Sequence, residues 1–539
     1  MDDQNKNLIL ATALSFLVIL VWFLLFPPPQ PTEQIAAPDT STDSALSPPG
    51  APETLPLPDG QTAPAAEVET TLSTARRITI DTPRLTGSVS LLGGRIDDLK
   101  LTDYRVSTDP EAEIVTLLSP AGTADPYYAV HGWGGAGGLP PEAVPGALTE
   151  WDAPTGAVLS VGRPLELTWD NGAGLRFRKT ITVDEDYMFT VAQSVENVGQ
   201  TAARLFPYAI LARTGEPDLV NFFVLHEGLV GAADGELTEV SYSGITDFEV
   251  DPREGGPVEK TTITETGWIG FTDHYWMATL VAPSGTPTQS VAKYTLVNDT
   301  YQTELRYGAV DVQPGARAEQ TSYFFAGAKE WDAISRYQEA LNIGQFVDAI
   351  DWGWFAFLTK PIFIALHYLN LWIGNMGWAI LALTLVIKTL LFPLAWKSYV
   401  SMARMKDLQP EMEKIKERVG DDRQKLQQEM MQLYKDKKVN PAAGCLPILL
   451  QIPIFFSLYK VIFVTIEIRH APWIGWIDDL SAPDPSSFLN LFGLLPWGVP
   501  GPESLFALVS IGVLPILMGV TMWMQQKLNP APTDPTQQM

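Results

Sequence analysis

Residues 8–26, LILATALSFLVILVWFLLF, run for 19 residues without a charge. A helix of that length spans about 28 Å, which matches the hydrocarbon core of a bilayer. Hydrocarbon offers no water to backbone N–H and C=O groups, so a segment of this kind must form a helix or join a closed barrel. Three further apolar runs follow late in the chain: 376–396 with Lys388 inside it, 446–466 with Gln451, Pro453 and Lys460, and about 504–525. The first run exceeds a secretory h-region, MDDQNKN before it is not basic, and no small-x-small cleavage site precedes Pro27. An uncleaved anchor over 1–26 is therefore expected rather than a signal peptide. The run 488–499, FLNLFGLLPWGV, is too short to span and predicts an interfacial or re-entrant piece.

Charge is partitioned along the chain. Residues 27–350 hold 19 Lys+Arg against 45 Asp+Glu, which accounts for the whole formal net charge of -26. So acidic a region argues against nucleic-acid binding. Residues 398–443 carry ten Lys+Arg, whereas 470–503 carry none. The positive-inside rule then puts 398–443 in the cytoplasm, 27–375 and 469–503 outside, and both termini inside. The membrane-crossing segments on this scheme are 1–26, 376–397, 444–468 and 504–526, with a tail at 527–539.

The Pro/Ala/Ser/Thr-rich stretch 27–69 lacks the apolar content to fold and reads as a linker. From 70 to 345 the pattern is strand-like, as in RITIDTP (77–83), LELTWD (165–170), LRFRKTITVDEDYMFTVAQSVEN (175–197) and QTSYFFAG (320–327). Alternating polar and apolar residues bounded by Gly, Pro and Asp predict a large antiparallel β-sandwich, closed by a short helix over 331–345. HGWGGAGG (131–138) lacks the strand-then-helix context of a phosphate loop. His131, His226 and His274 have no metal-like spacing, and the single cysteine, Cys445, excludes an internal disulfide framework. Within 346–375, Phe355, Leu358, Ile362, Leu366 and Leu369 recur at helical spacing. This predicts an amphipathic helix in the outer interface, with Trp352 and Trp354 as headgroup anchors; the alternative is one longer tilted span reaching into 371–396.

Apolar residues recur through 402–419 and again through 426–433, with Gly420-Asp421-Asp422 between. Two helices of about 16 residues in an αα-hairpin are expected. Met405, Met412 and Met430 give that hairpin a soft surface suited to varied partners, and its basic flanks suit anionic lipid heads. Lys388 is the most informative single residue. An ammonium at mid-span costs at least ~2.5–3.5 kcal/mol, and the other spans offer it no carboxylate; Glu467 lies at an outer end, expected near Arg469. An unpaired lysine there implies a wet cavity, with Thr384, Thr389 and Gln451 as candidate lining.

The stretch TLVIKTLLFPLAWKSYVSMARMKDLQPEMEKIKERVGDDRQKLQQEMMQLYKDKKVNPAAGCLPILLQIPIFFSLYKVI, continued by SAPDP (481–485) and LPILMGVTMWMQQKLNP (514–530), strongly resembles the core of the YidC membrane protein insertases, kin of the Oxa and Alb proteins. The resemblance covers 350–539. It implies a Gram-negative inner-membrane protein that inserts and folds membrane proteins, alone or beside the Sec translocon. The family uses a hydrophilic groove open to the cytoplasm and lipid. Lys388 matches a groove position that is arginine in many members, and Gln451 matches a polar groove position. Lysine keeps the charge but loses the planar fork, which favours a point-charge role over a bidentate one. The hairpin corresponds to the family's cytoplasmic one, which engages substrate or ribosome, and the outer domain to a β-supersandwich linked to Sec contacts. The resemblance also implies two further spans beyond DPTQQM539.

No nucleotide, metal or catalytic constellation stands out, so neither a cofactor nor an enzymatic activity is expected. The expected partners are nascent membrane proteins, the Sec translocon, the ribosome and the lipid bilayer. The rival function is a small-solute or ion transporter using Lys388, which the lack of repeated spans disfavours.

Overall fold

The computed structural model describes residues 75–528 except 221, 223, 421, 438, 440–445, 493, 496, 498, 500–503, 505 and 507–509. The expected anchor 1–26, the linker 27–69 and nearly all of the tail 527–539 lie outside the described residues.

Alternation in the sequence becomes alternation in burial. Along Leu175–Val183, residues Leu175, Phe177, Lys179, Ile181 and Val183 point inward, while Arg176, Arg178 and Thr182 face out. Among the described residues, strands between Arg77 and Ala328 build one eleven-stranded and one eight-stranded antiparallel sheet. The inner faces share one apolar core that includes Leu211, Leu305, Leu280, Phe324 and Phe189. Gly267–Thr272 is buried at every position because both its faces are covered. Lys179 occupies an inward slot, where its Nζ donates to the Gly94 carbonyl at 3.1 Å and lies over the Trp151 ring. Burial pushes its pKa down to about 7.

The glycine-rich stretch 131–138 is mostly strand. Tyr127–Ala136 pairs with Ala203–Thr214, setting Gly134 opposite Phe206 and Gly132 opposite Tyr208. A Cβ on Gly134 would sit 2.2 Å from Phe206 Cζ. The glycines here make room for aromatic rings rather than for a phosphate.

Eight α-helices are described. α1 (Tyr242–Thr246) is a single turn, capped by the Ser241 hydroxyl, which accepts from Gly244 N. α2 (Trp331–Ala340) is shorter than the expected 331–345, because the chain turns through left-handed Asn342 and Gln345. α3 (Ala356–Ile373) and α4 (Met376–Asp407) are separate helices: Gly374 adopts φ 74° and its N–H bonds the Asn370 carbonyl at 2.7 Å, ending α3. Both are long and apolar enough to cross a membrane. α5 (Gln409–Val419), α6 (Arg423–Asp436), α7 (Leu446–Val464) and α8 (Val513–Leu528) follow.

Several local expectations are corrected. Trp352 is not a headgroup anchor but is buried against Trp331 and Phe363, with Nε1 donating to the Val347 carbonyl; Trp354 is 82% exposed. The first hairpin helix begins at Gln409 rather than near Met402, since α4 runs 32 residues, about 48 Å, straight into the basic segment. The break falls at Leu408, where Pro410 in the next first turn cannot continue the hydrogen-bond ladder. Among the described residues of the last apolar run, the α-helix begins at Val513. Before it, Phe488 N bonds the Ile511 carbonyl, and Ser486 Oγ accepts from Val513 N, so the 486–488 loop holds 511–513.

Candidate functional site

α3 packs on both α4 and α7, and α4 also touches α7. Lys388 lies thirteenth in α4, exposed, with Nζ 5.6 Å from the centroid of Phe455 on α7. Among the described residues it has no ion pair. Thr384 lies one turn earlier on the same face as Lys388, since four residues advance a helix by about 400°. Thr389 sits about 100° round from Lys388. Both hydroxyls donate to their own helix: Thr384 to Ile380 O at 2.9 Å, Thr389 to Leu385 O at 2.7 Å. Their lone pairs alone remain for a visitor. Gln451 is half-buried one turn before Phe455, on the α7 face that meets Lys388. The structure therefore brings Lys388 to α7 through an aromatic ring, with Thr384 and Gln451 on the two flanking faces.

The C-terminal end of α7 carries a second polar assembly that the sequence did not foretell. Lys460 is 3% exposed. Its Nζ pairs with Asp351 Oδ2 at 2.5 Å and donates to the Val224 carbonyl. Asp351 Oδ2 also accepts from His226 N at 2.8 Å. One turn on, the Phe463 carbonyl accepts from His274 Nε2 at 2.8 Å, and the two rings stack. Because a carbonyl can only accept, His274 carries its proton on Nε2. Burial pushes its pKa down to about 4. Phe222 packs on Phe463 and Tyr459. Below this seam, His367 of α3 links Glu467 at 2.8 Å with Asp332 of α2 at 3.4 Å. Glu467 thus meets His367 rather than Arg469, whose guanidinium lies over Tyr275 and Trp276 and donates to the Arg105 carbonyl. The β-domain is clamped to α7, not merely tethered. Lys460 and Asp351 were visible in the sequence as charges in apolar surroundings, but nothing local paired them.

His131 is buried beside Phe324, and burial pushes its pKa down to about 3; His226 Nε2 bonds the Leu229 carbonyl. Among the described residues no three His, Cys, Asp or Glu side chains are grouped to hold a metal.

α5 and α6 are joined through Gly420 and held by Arg418–Glu429 and by Lys437–Glu411 at 2.7 Å. Tyr434 Oη lies 3.7 Å from Met412 Sδ. Met412 and Met430 are half-buried on α5 and α6, and Met405 is half-buried on the last turn of α4.

A large antiparallel β-domain seated on apolar helices, two of them long enough to cross a membrane and one of these bearing a cation with no ion pair among the described residues, fits the class of membrane proteins with a bulky extramembrane domain. Comparison with known proteins narrows the class. The family model described as YidC periplasmic domain matches residues 77–365, and that described as 60Kd inner membrane protein matches 368–539. The membrane protein insertase YidC of Dinoroseobacter shibae is 60% identical over 546 residues, covering 100% of this chain and 89% of that protein. The YidC of Ruegeria pomeroyi is 59% identical over 552 residues, with the same two coverages. An active YidC insertase crystal structure with its first transmembrane domain resolved is similar at 18% identity and TM-score 0.27, covering 78% of this chain and 81% of that one. The chain belongs to the YidC family of membrane protein insertases. It is an inner-membrane insertase and chaperone with a periplasmic domain, its clients are membrane proteins, and it is not an enzyme.

Proposed function

We propose that insertion runs through a hydrophilic groove between α4 and α7 in which Lys388 supplies the charge and Gln451, Thr384 and Thr389 the remaining polarity. The observation that carries this is the exposed Lys388, without a carboxylate partner among the described residues, half-way along an apolar helix face that meets α7. An ammonium in that position is tolerable only where water reaches it. A client segment entering hydrocarbon must shed water from its polar flank. A wet groove at half depth shortens the dry crossing, and a positive charge draws acidic residues of the translocated tail. The apolar faces of α4 and α7 then release the client's hydrophobic stretch sideways into lipid. Partitioning and the membrane potential supply the driving force.

On this reading the β-domain is a sandwich on the periplasmic side, 398–443 is a cytoplasmic hairpin, and both ends of the chain face the cytoplasm, as the loop charges favour. Met405, Met412 and Met430 present an adaptable surface to clients or the ribosome. The Sec translocon is the partner on the periplasmic side. α3 is long and apolar enough to cross, yet Lys360 pairs with Asp348 and His367 with Glu467. Such a polar edge suits a helix lying in the outer interface.

Two measurements test the groove. Lys388→Leu lowers insertion of clients with charged translocated tails; unchanged insertion of every such client sinks the groove charge. Lys388→Cys in a Cys445→Ala background labels with a membrane-impermeant maleimide added from the cytoplasmic side. Protection equal to that of a lipid-facing position on α4 contradicts a wet groove.

A further inference from the structure

The cytoplasmic end of α4 carries a cleft that the groove does not use. It has a volume of about 280 Å³ and is lined by Trp396, Lys397, Val400, Ser401, Arg404 and Val439. Lys397, Ser401 and Arg404 are spaced i, i+4 and i+7, so they share one helix face. The two cations stand about 10 Å apart along the axis, within reach of a common anion for side chains this long. Neither has a carboxylate partner among the described residues, and no acid lines the cleft. This contrasts with the hairpin beyond, where Arg418 and Lys437 are both paired. Val439, 8% exposed, closes the cleft from the segment after α6.

Depth favours one kind of ligand. The apolar run 376–396 is 21 residues, about 31 Å, so Lys397 begins at the level where phosphates of the inner leaflet lie. Trp396 is 61% exposed beside it, as an interfacial ring is. Basic pockets at the cytoplasmic ends of membrane helices suit anionic headgroups.

We infer that this cleft is a binding site for the phosphate headgroup of an anionic phospholipid, held by Lys397 and Arg404 with the glycerol moiety against Trp396 and Val439. The inference rests on the cytoplasmic placement of 398–443. A lipid bound here fixes the register of α4, and so of Lys388 on the same helix, relative to the inner leaflet.

The full-length chain, purified in a neutral detergent, is mixed with phosphatidylglycerol or phosphatidylcholine of equal acyl length, and retained lipid is counted by native mass spectrometry. The chain retains phosphatidylglycerol preferentially. Lys397→Gln/Arg404→Gln weakens that retention roughly thirtyfold, taking about 1 kcal/mol for each lost cation. Val400→Glu, which leaves both cations in place, weakens it as well. The control Lys414→Gln/Lys416→Gln removes the same charge from the hairpin and leaves retention intact. Equal retention of the two lipids, or equal loss in the control pair, overturns the site. Displacement by millimolar inorganic phosphate identifies a free-phosphate site and overturns the lipid assignment, as does displacement by an acidic peptide that binds in the lipid's absence. Maleimide labelling of Ser401→Cys in a Cys445→Ala background reports the sidedness independently, so a failure of the topology is distinguishable from a failure of the site.

Discussion

Lys460 of α7 and Asp351, five residues before α3, form a buried ion pair that clamps the β-domain to an apolar helix. The pair is completed from within the domain, since Lys460 also donates to the Val224 carbonyl and Asp351 accepts from His226 N. The periplasmic mass is thereby fixed to the helix that faces Lys388.

Removing one partner of that pair leaves an uncompensated charge in a dry seam, at a cost of about 3–5 kcal/mol. Lys460→Met and Asp351→Asn each lower the thermal midpoint of the purified chain in detergent. Lys460→Met/Asp351→Leu recovers part of the loss, because two apolar side chains need no partner while the Val224 carbonyl and His226 N–H lose theirs. A double variant as unstable as either single one would show that the pair is not the origin of the effect.

The strand glycines provide a packing test. Gly134→Val drives a side chain into the Phe206 ring, whose Cζ would lie 2.2 Å from the new Cβ. Overpacking of this kind costs about 1–3 kcal/mol. Gly146→Ala, with nothing within 4 Å of its Cβ, leaves the melting temperature unchanged. Equal melting of wild type and Gly134→Val would refute the close approach.

Acid weakens the seam in a defined window. Burial lowers the pKa of His274 to about 4, while the unfolded chain takes up that proton below about 6.5. The contribution of His274 is therefore complete above pH 6.5 and declines as pH falls toward 4. His131 and His226, also lowered by burial, act in the same direction. His274→Gln keeps a donor for the Phe463 carbonyl but does not titrate, so its melting temperature falls less steeply between pH 6.5 and 4.5. An unchanged slope would remove His274 from the acid response.

Lys388 and Phe455 separate charge from shape. Lys388→Arg retains the cation and retains insertion of clients with acidic tails, whereas Lys388→Gln does not. Phe455→Ala removes a cation–π contact of about 0.5–1 kcal/mol and changes insertion severalfold at most. A larger loss in Phe455→Ala than in Lys388→Gln would make the ring, not the charge, the principal element.

Much of this protein is legible in its sequence. LELTWD and LRFRKTITV alternate in sequence and in burial alike, because a half-buried strand separates its two faces by solvent. The run 376–396 is apolar and lies within α4, because length and hydropathy are properties of contiguous residues. HGWGGAGG was rightly set aside as a phosphate loop, but its strand character was not legible, because it depends on Phe206 and Tyr208, which are remote in sequence.

The sequence by itself determined the apolar helices, the acidic β-rich domain, the basic loop and the solitary Lys388, since each follows from local composition and period. Only the tertiary structure decided that Trp352 is core while Trp354 is exposed, that Glu467 meets His367 across 100 residues, and that Lys460 reaches Val224 across 236. Local pattern fixes which environment a residue prefers. Which group completes a buried charge is set by where the chain returns, and that information is distributed over the whole fold.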